Sequence, residues 1–346
     1  MNRKDVATGA ASGGITINLA DKYRAVVGLM RRLASLRLTL ILFALLACGI
    51  VIAYQLSEAR TWPVVIPLLL LAANLVAAVA TNAVFRRQTA LLVFHLSLVA
   101  LLILVAAGRL TYLTGHVGVT DGAIFDGTLI DAAHGPWHNG NLASVRFISK
   151  GFSIDYEPGL HRGPTRNQVA WLGTDGRWRD AEIGDQEALI IEGYRFYTTH
   201  NKGFAPVFTW KPDGGPTVQG SVQLPPFPML QYSQAAEWTP PGATVSIWIM
   251  LDIDEVVLDA EDHTRFRLPK NYKLVARIGQ ERYEMQPGGS VRVGDGVLVF
   301  EGLRSWMGYK VFYDWTLPWL FSACALAVAS LACHFWQKFS VRRWDE

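Results

Sequence analysis

Thr89 to Val119 read TALLVFHLSLVALLILVAAGRLTYLTGHVGV, and this stretch decides the fold. From Thr89 to Ala107 it carries no formally charged side chain and is long enough to cross a hydrocarbon core about 30 Å thick at 1.5 Å per residue. After Arg109 the apolar run stops, and until about Tyr313 no segment is long or apolar enough to span. Turn signals take over instead: DGG, PPFP, PPG, PGG and GDG. A spanning helix therefore opens directly into a large extramembrane domain.

Upstream lie two further apolar blocks, Leu38–Leu56 and Val64–Phe85, and downstream one more, Leu317–Phe335. Trp62 suits a membrane interface and Pro63 a first helical turn. Lys22, Arg24, Arg31, Arg32 and Arg37 precede the first block, Arg86–Arg87 close the second, and Lys338, Arg342 and Arg343 close the last. By the positive-inside rule both termini are cytoplasmic and the domain lies outside. The expected division is a cytoplasmic segment 1–37, helices within 38–108, an extracytoplasmic domain 109–313, a fourth helix within 314–337 and a cytoplasmic tail 338–346. Leu19–Leu36 is expected to form a short amphipathic helix on the membrane surface, with Tyr23, Val26, Val27 and Met30 toward lipid.

Within the domain, Ser144–Ile148, Ala188–Tyr197, Ala205–Trp210, Thr244–Ile249, Lys273–Ile278 and Gly296–Phe300 alternate as strands do. The expected fold is thus four transmembrane α-helices with an antiparallel, β-rich, sandwich-like domain between helices three and four. The composition agrees: 51% hydrophobic residues and a mean hydropathy of +0.20 suit a mixture of spans and globular sequence. A net charge of +3, with the basic residues beside the apolar blocks rather than in a stripe, excludes a nucleic-acid partner and leaves the lipid bilayer as one. Cys48, Cys324 and Cys333 all fall inside apolar blocks, so the domain has no thiol for a disulfide or a redox reaction.

His95 stands roughly eight positions, about 12 Å, beyond Arg87 in an otherwise apolar helix. A neutral imidazole there suits an axial ligand of haem iron or a proton relay, and the plainer reading is a hydrogen bond across a helix interface to Asn74 or Asn82. His334, near the inner end of the last block, either snorkels to the head groups or joins His95 in clamping one haem. His116, His134, His138, His161, His200 and His263 read as scattered loop residues; His134 and His138 are four apart, but the intervening Gly135 and Pro136 rule out the helix that a metal-binding pair needs. No hydrolase, phosphate-binding or dinucleotide motif is present. Asn201–Phe204 (NKGF) reads as a polar turn, and Trp306, Tyr309, Phe312, Tyr313, Trp315 and Trp319 as an aromatic belt before the last helix. Asn201, Lys202, Gly203, Phe204, Trp306 and Tyr309 are accordingly expected near the membrane or one another, as a docking surface.

RRLASLRLTLILFALLACG (31–49), FHLSLVALLILVAAGRL (94–110) continuing into GHVGVTDGAIFD (115–126), RFYTTHNKGFAPVF (195–208) and LRSWMGYKVFYDWTLPWL (303–320) together resemble the ResB family of cytochrome c biogenesis. The resemblance implies the same order of three helices, outer domain and fourth helix, in the inner membrane of a bacterium. It also implies a role in the system II pathway: with a ResC/CcsA-type partner, the chain moves haem b outward and presents it to the CxxCH of an apocytochrome c. The family's third-helix haem ligand falls on His95. The tryptophan-rich haem-presenting loop belongs to the partner and is not found here, so the resemblance gives this chain the haem-ligating part of a synthetase and no bond-forming step. Two other readings stay open: an assembly subunit without haem, and a self-contained b-type haem protein using His95 and His334. The outer domain, roughly 200 residues, is short for the family, which leaves open the cytochrome served.

Overall fold

The computed structural model describes residues 19–55, 61–228 and 234–340. Residues 1–18, the Ser57–Arg60 connection and the basic pair Arg342–Arg343 lie outside the described residues. The chain forms two compact units, one helical (Met1–Leu110 with Thr316–Glu346) and one β-rich (Thr111–Trp315).

In the helical unit, α1 is Leu19–Leu33, α2 Leu36–Gln55, α3 Trp62–Thr81, α4 Ala83–Arg87, α5 Thr89–Thr111 and α6 Leu317–Ser340. Among the described residues, α2, α3, α5 and α6 are the four long and apolar enough to cross a membrane. Their exposed side chains are largely apolar, Leu40 and Phe321 among them, as suits helices that face lipid or other spanning helices. The second apolar block does not run on to Phe85. Asn82 interrupts it, its side chain accepting from the Val84 N–H at 3.0 Å and starting the separate α4.

Close helix contact needs small or complementary groups. Gly49 of α2 supplies one: a Cβ there would stand 2.1 Å from the carbonyl oxygen of Pro63 at the start of α3. Asn74, buried on α3, supplies another, donating to the Leu33 and Ser35 carbonyls and accepting from Thr39 Oγ1 at 2.8 Å. It thereby pins the turn between α1 and α2. α1 packs along α3, which leaves Val26 exposed and half-buries Val27 and Met30. The expected membrane-surface face of α1 is therefore split, Val26 exposed and Val27 and Met30 partly covered, while the Tyr23 side chain lies outside the described residues.

Among the described residues, the β unit contains three antiparallel sheets. The largest has seven strands: β2 (Ile130–His134), β1 (Leu113–Thr120), β15 (Gly296–Tyr313), β7 (Tyr194–Pro212) and β6 (Leu189–Ile191) in order, with β14 (Ser290–Val293) on β15 and β8 (Val218–Ser221) on β7. The second runs β13 (Glu281–Met285), β12 (Tyr272–Ile278), β10 (Ile247–Ile253), β9 (Ala235–Trp238), and the third β11 (Thr264–Arg265), β3 (Phe147–Glu157), β4 (His161–Leu172), β5 (Trp178–Gly184). One contiguous core, including Phe147, Phe196, Phe204, Phe300 and Tyr309, joins them. β1 follows α5 directly, β15 precedes α6, and the two strands pair from Leu113↔Tyr313 to Thr120↔Trp306.

β7 and β15 are longer than their sequence suggests. Asn201–Phe204 is not a turn: it lies inside β7, and Trp306–Tyr313 lies inside β15 opposite it, with Gly203↔Trp306 and Lys202↔Met307 in register. Backbone pairing across a buried sheet overrides the turn preference of Asn, Lys and Gly. The aromatic belt is corrected in the same way, since Trp306 and Tyr309 are buried in the β core, while Trp315 and Trp319 stay exposed.

Candidate functional site

His95 sits in the first half of α5, half-buried, its ring edge-on to Phe85 at 4.6 Å and to Phe94 at 5.2 Å. Its Nδ1 lies 2.8 Å from the carbonyl oxygen of Leu91, one turn earlier. A carbonyl can only accept, so Nδ1 carries the proton and Nε2 keeps its lone pair. The interhelical partners considered from sequence are engaged elsewhere, Asn74 at the α1–α2 turn and Asn82 at the start of α4. An imidazole oriented by a backbone carbonyl through one nitrogen and basic at the other is the arrangement in which histidine binds a metal centre. A single imidazole of this kind fits haem iron, and Nε2 is the atom that would bind it, with the Phe85 and Phe94 rings beside it. His334 of α6 is half-buried, and the cavity it lines is completed by Gln88, Gln337 and Lys338, not by His95.

In the β unit the segment expected to dock is built differently. Met307 pairs with Lys202 and Tyr309 with Thr198, so Gly308 alone faces Thr199, His200 and Asn201 in a wide bulge. Only glycine fits at 308, where a Cβ would lie 2.7 Å from Thr199 Oγ1. The Thr199 hydroxyl donates to the Gly308 carbonyl at 3.0 Å and accepts from the Asn201 N–H at 3.2 Å, holding the bulge closed. Of the six residues expected on a docking surface, Asn201 alone is exposed; Lys202, Gly203, Phe204, Trp306 and Tyr309 are buried. The strand alternation turns Phe204 into the core, and Trp306 is fixed by its indole N–H on the Leu224 carbonyl at 3.1 Å. The bulge does open a cleft of about 390 Å3, lined by Asn201, Trp306 and Tyr309 with His116, Asp131 and Gln223. There the His116 ring faces Asp131 at 3.2 Å.

The remaining histidines occupy strands as well as loops: His134 ends β2, His161 starts β4 and His200 stands in the β7 bulge. His138 uses both ring nitrogens, Nδ1 donating to the Thr111 carbonyl at 2.8 Å and Nε2 accepting from the Tyr194 hydroxyl at 3.2 Å.

A buried polar chain went unnoticed in the sequence. The Tyr309 hydroxyl donates to Asn167 Oδ1 at 2.6 Å, Asn167 reaches Ser149 Oγ at 3.3 Å, and Ser149 donates to Asp121 at 2.8 Å, where Ser305 also donates. Burial raises the Asp121 pKa, opposed by the Ser305 and Ser149 hydroxyls. These residues come from β3, β4, β15 and the turn after β1, which are far apart in sequence, and no local pattern links them.

Lys202 is 3% exposed, its Nζ 3.5 Å from the His200 carbonyl and 5.4 Å above the Tyr156 ring. The nearby Asp185 is paired with Arg162 at 2.8 Å. Burial, and then the Arg162 charge, bring the Lys202 ammonium down from 10.5 to about 8. The folded unit thus binds fewer protons than the unfolded chain between those values, so this contribution to stability rises with pH across that window and is worst below pH 8. The penalty there is about 3 kcal/mol. Lys202→Met is expected to raise the melting temperature of the purified chain at pH 7 and to flatten its rise toward pH 10; a lower melting temperature at pH 7 would show that the charge is compensated.

Four helices long and apolar enough to span, with a β-rich unit inserted between the third and the last, define a membrane protein. The model of the ResB-like family matches residues 72–343, and the chain belongs to that family of cytochrome c biogenesis proteins. Among solved structures, the chain described as "Cytochrome c Heme Lyase CcmF" matches 90% of this chain at 11% identity and a TM-score of 0.28, and 39% of its own length is covered. No curated protein matches the sequence.

Proposed function

We propose that this chain is the haem-holding membrane subunit of a cytochrome c synthetase, passing haem b outward together with a ResC/CcsA-type partner and holding it for an apocytochrome c. The observation that carries the proposal is the His95 ring, with its Nδ1 proton given to Leu91 and its Nε2 free for iron. Bound haem would supply the vinyl groups that apocytochrome thiols attack, and this chain forms no bond itself. Its residues orient the iron ligand and keep water from it with Phe85 and Phe94. Any further ligand to the iron would come from the partner. The basic flanks support an orientation with both termini cytoplasmic and the β unit on the periplasmic face of a bacterial inner membrane. In that unit the cleft beside Asn201 is the docking site for partner or apocytochrome, its wall stiffened by Trp306 and Tyr309. Deleting the gene should leave apocytochrome c in the periplasm without covalent haem, and the chain purified in mild detergent should yield b-type haem on extraction. Normal holocytochrome c levels in the deletion strain would overturn the proposal.

A further inference from the structure

Gln88 stands immediately before α5, its carbonyl accepting from the Leu92 N–H at 2.9 Å, and the seven residues from it to His95 correspond to about 10 Å along the helix axis. At the Gln88 level, His334, Gln337 and Lys338 of α6 complete an open cavity of about 330 Å3. Its four lining side chains are two amides, an imidazole and an ammonium, with no carboxylate among them. Arg86 and Arg87 stand next to it in sequence and add to the positive field. A cavity made of donors and positive charge accepts an anion. It is open beside the basic residues at this end of the helices, about two turns before His95 in the chain.

We propose that this cavity receives the propionate carboxylates of the haem ligated by His95, and that His334 is a propionate-binding residue rather than the second axial ligand. The inference rests on the reading of His95 given above. Haem is amphipathic in the same sense as the site: its ring plane is apolar and one edge carries two carboxylates. Carboxylates in hydrocarbon are costly unless paired, and Lys338 with the Gln88 and Gln337 amides offers the pairing at the polar boundary. His334 can add one donor there without leaving its place beside Phe335, whose ring centroid is 5.5 Å from its own.

The test titrates the full-length protein, stripped of haem in detergent, with haem and with haem dimethyl ester, following the Soret band. Wild type should bind haem about tenfold more tightly than the ester, and Lys338→Gln with Gln337→Leu should erase that preference while ester affinity stays the same. His334→Ala should weaken haem binding and leave the iron's axial-ligand spectrum unchanged. Equal affinity of wild type for haem and ester overturns the inference, as does an axial-ligand change in His334→Ala. An anionic-lipid site would show itself as no preference for haem over ester, together with phosphatidylglycerol retained by wild type and lost from Lys338→Gln; that result also overturns it. If His95→Ala binds both compounds with unaltered spectra, the reading of His95 has failed, which is distinct from a failure at the cavity.

Discussion

His95→Ala is expected to insert into the membrane at normal levels, to lose most of its bound haem, and to abolish cytochrome c maturation. The side chain lies on a spanning helix, half-buried between Phe85 and Phe94, and its one protein hydrogen bond runs to its own helix. Replacing it with alanine removes no hydrogen bond to another helix and only the ring contact with Phe85 of α4, so the fold keeps most of its packing. What goes is the Nε2 lone pair. A haem iron deprived of this ligand would be held much less tightly, and both occupancy and delivery should fall by an order of magnitude or more. Free imidazole should restore part of the haem content, because it can enter the space left by the ring. Loss of membrane insertion instead of haem would mark His95 as a structural residue.

Tyr309→Ala is expected to unfold or strongly destabilise the β unit. Tyr309 is fully buried, its ring 5.3 Å from that of Phe147 and its hydroxyl on Asn167 at 2.6 Å. Truncation opens a cavity costing about 3–5 kcal/mol and also strands the Asn167 side chain. Tyr309→Phe keeps the ring and should cost about 1–3 kcal/mol, the penalty of one unpaired buried acceptor. Tryptophan fluorescence followed on heating would rank the three proteins wild type, phenylalanine, alanine. Equal melting of wild type and Tyr309→Ala would contradict the placement of Tyr309 at the centre of the core. Both Tyr309→Ala and His95→Ala should reduce holocytochrome c, but only the first by loss of folded protein.

The two halves of the molecule differ in how far local sequence reveals them. The spans are legible because lipid demands a long apolar run, and α2, α3, α5 and α6 each carry one. Their ends are less so: the break at Asn82 depends on a side-chain oxygen capturing the Val84 N–H, which hydropathy does not sense. In the β unit the strand cores around Ala205–Trp210 and Lys273–Ile278 are visible as short apolar runs, which the fold buries on both faces over much of their length. The continuity of β7 through Thr199–Lys202 does not, because it is imposed by β15, roughly a hundred residues later, through a bulge that needs Gly308. That is why Lys202, Phe204, Trp306 and Tyr309 look like surface residues in sequence and are buried in the fold. For His95 the depth in the helix is legible, whereas the Leu91 hydrogen bond that fixes its tautomer emerges only from the side-chain rotamer.

The most direct test of the central claim is a change of ligand type at position 95. The electronic absorption and electron paramagnetic resonance spectra of His95→Cys, purified with its haem, should change from those of a nitrogen-ligated iron to those of a thiolate-ligated one. Spectra identical to those of the wild-type protein would show that the iron is held by another residue, and would contradict the account.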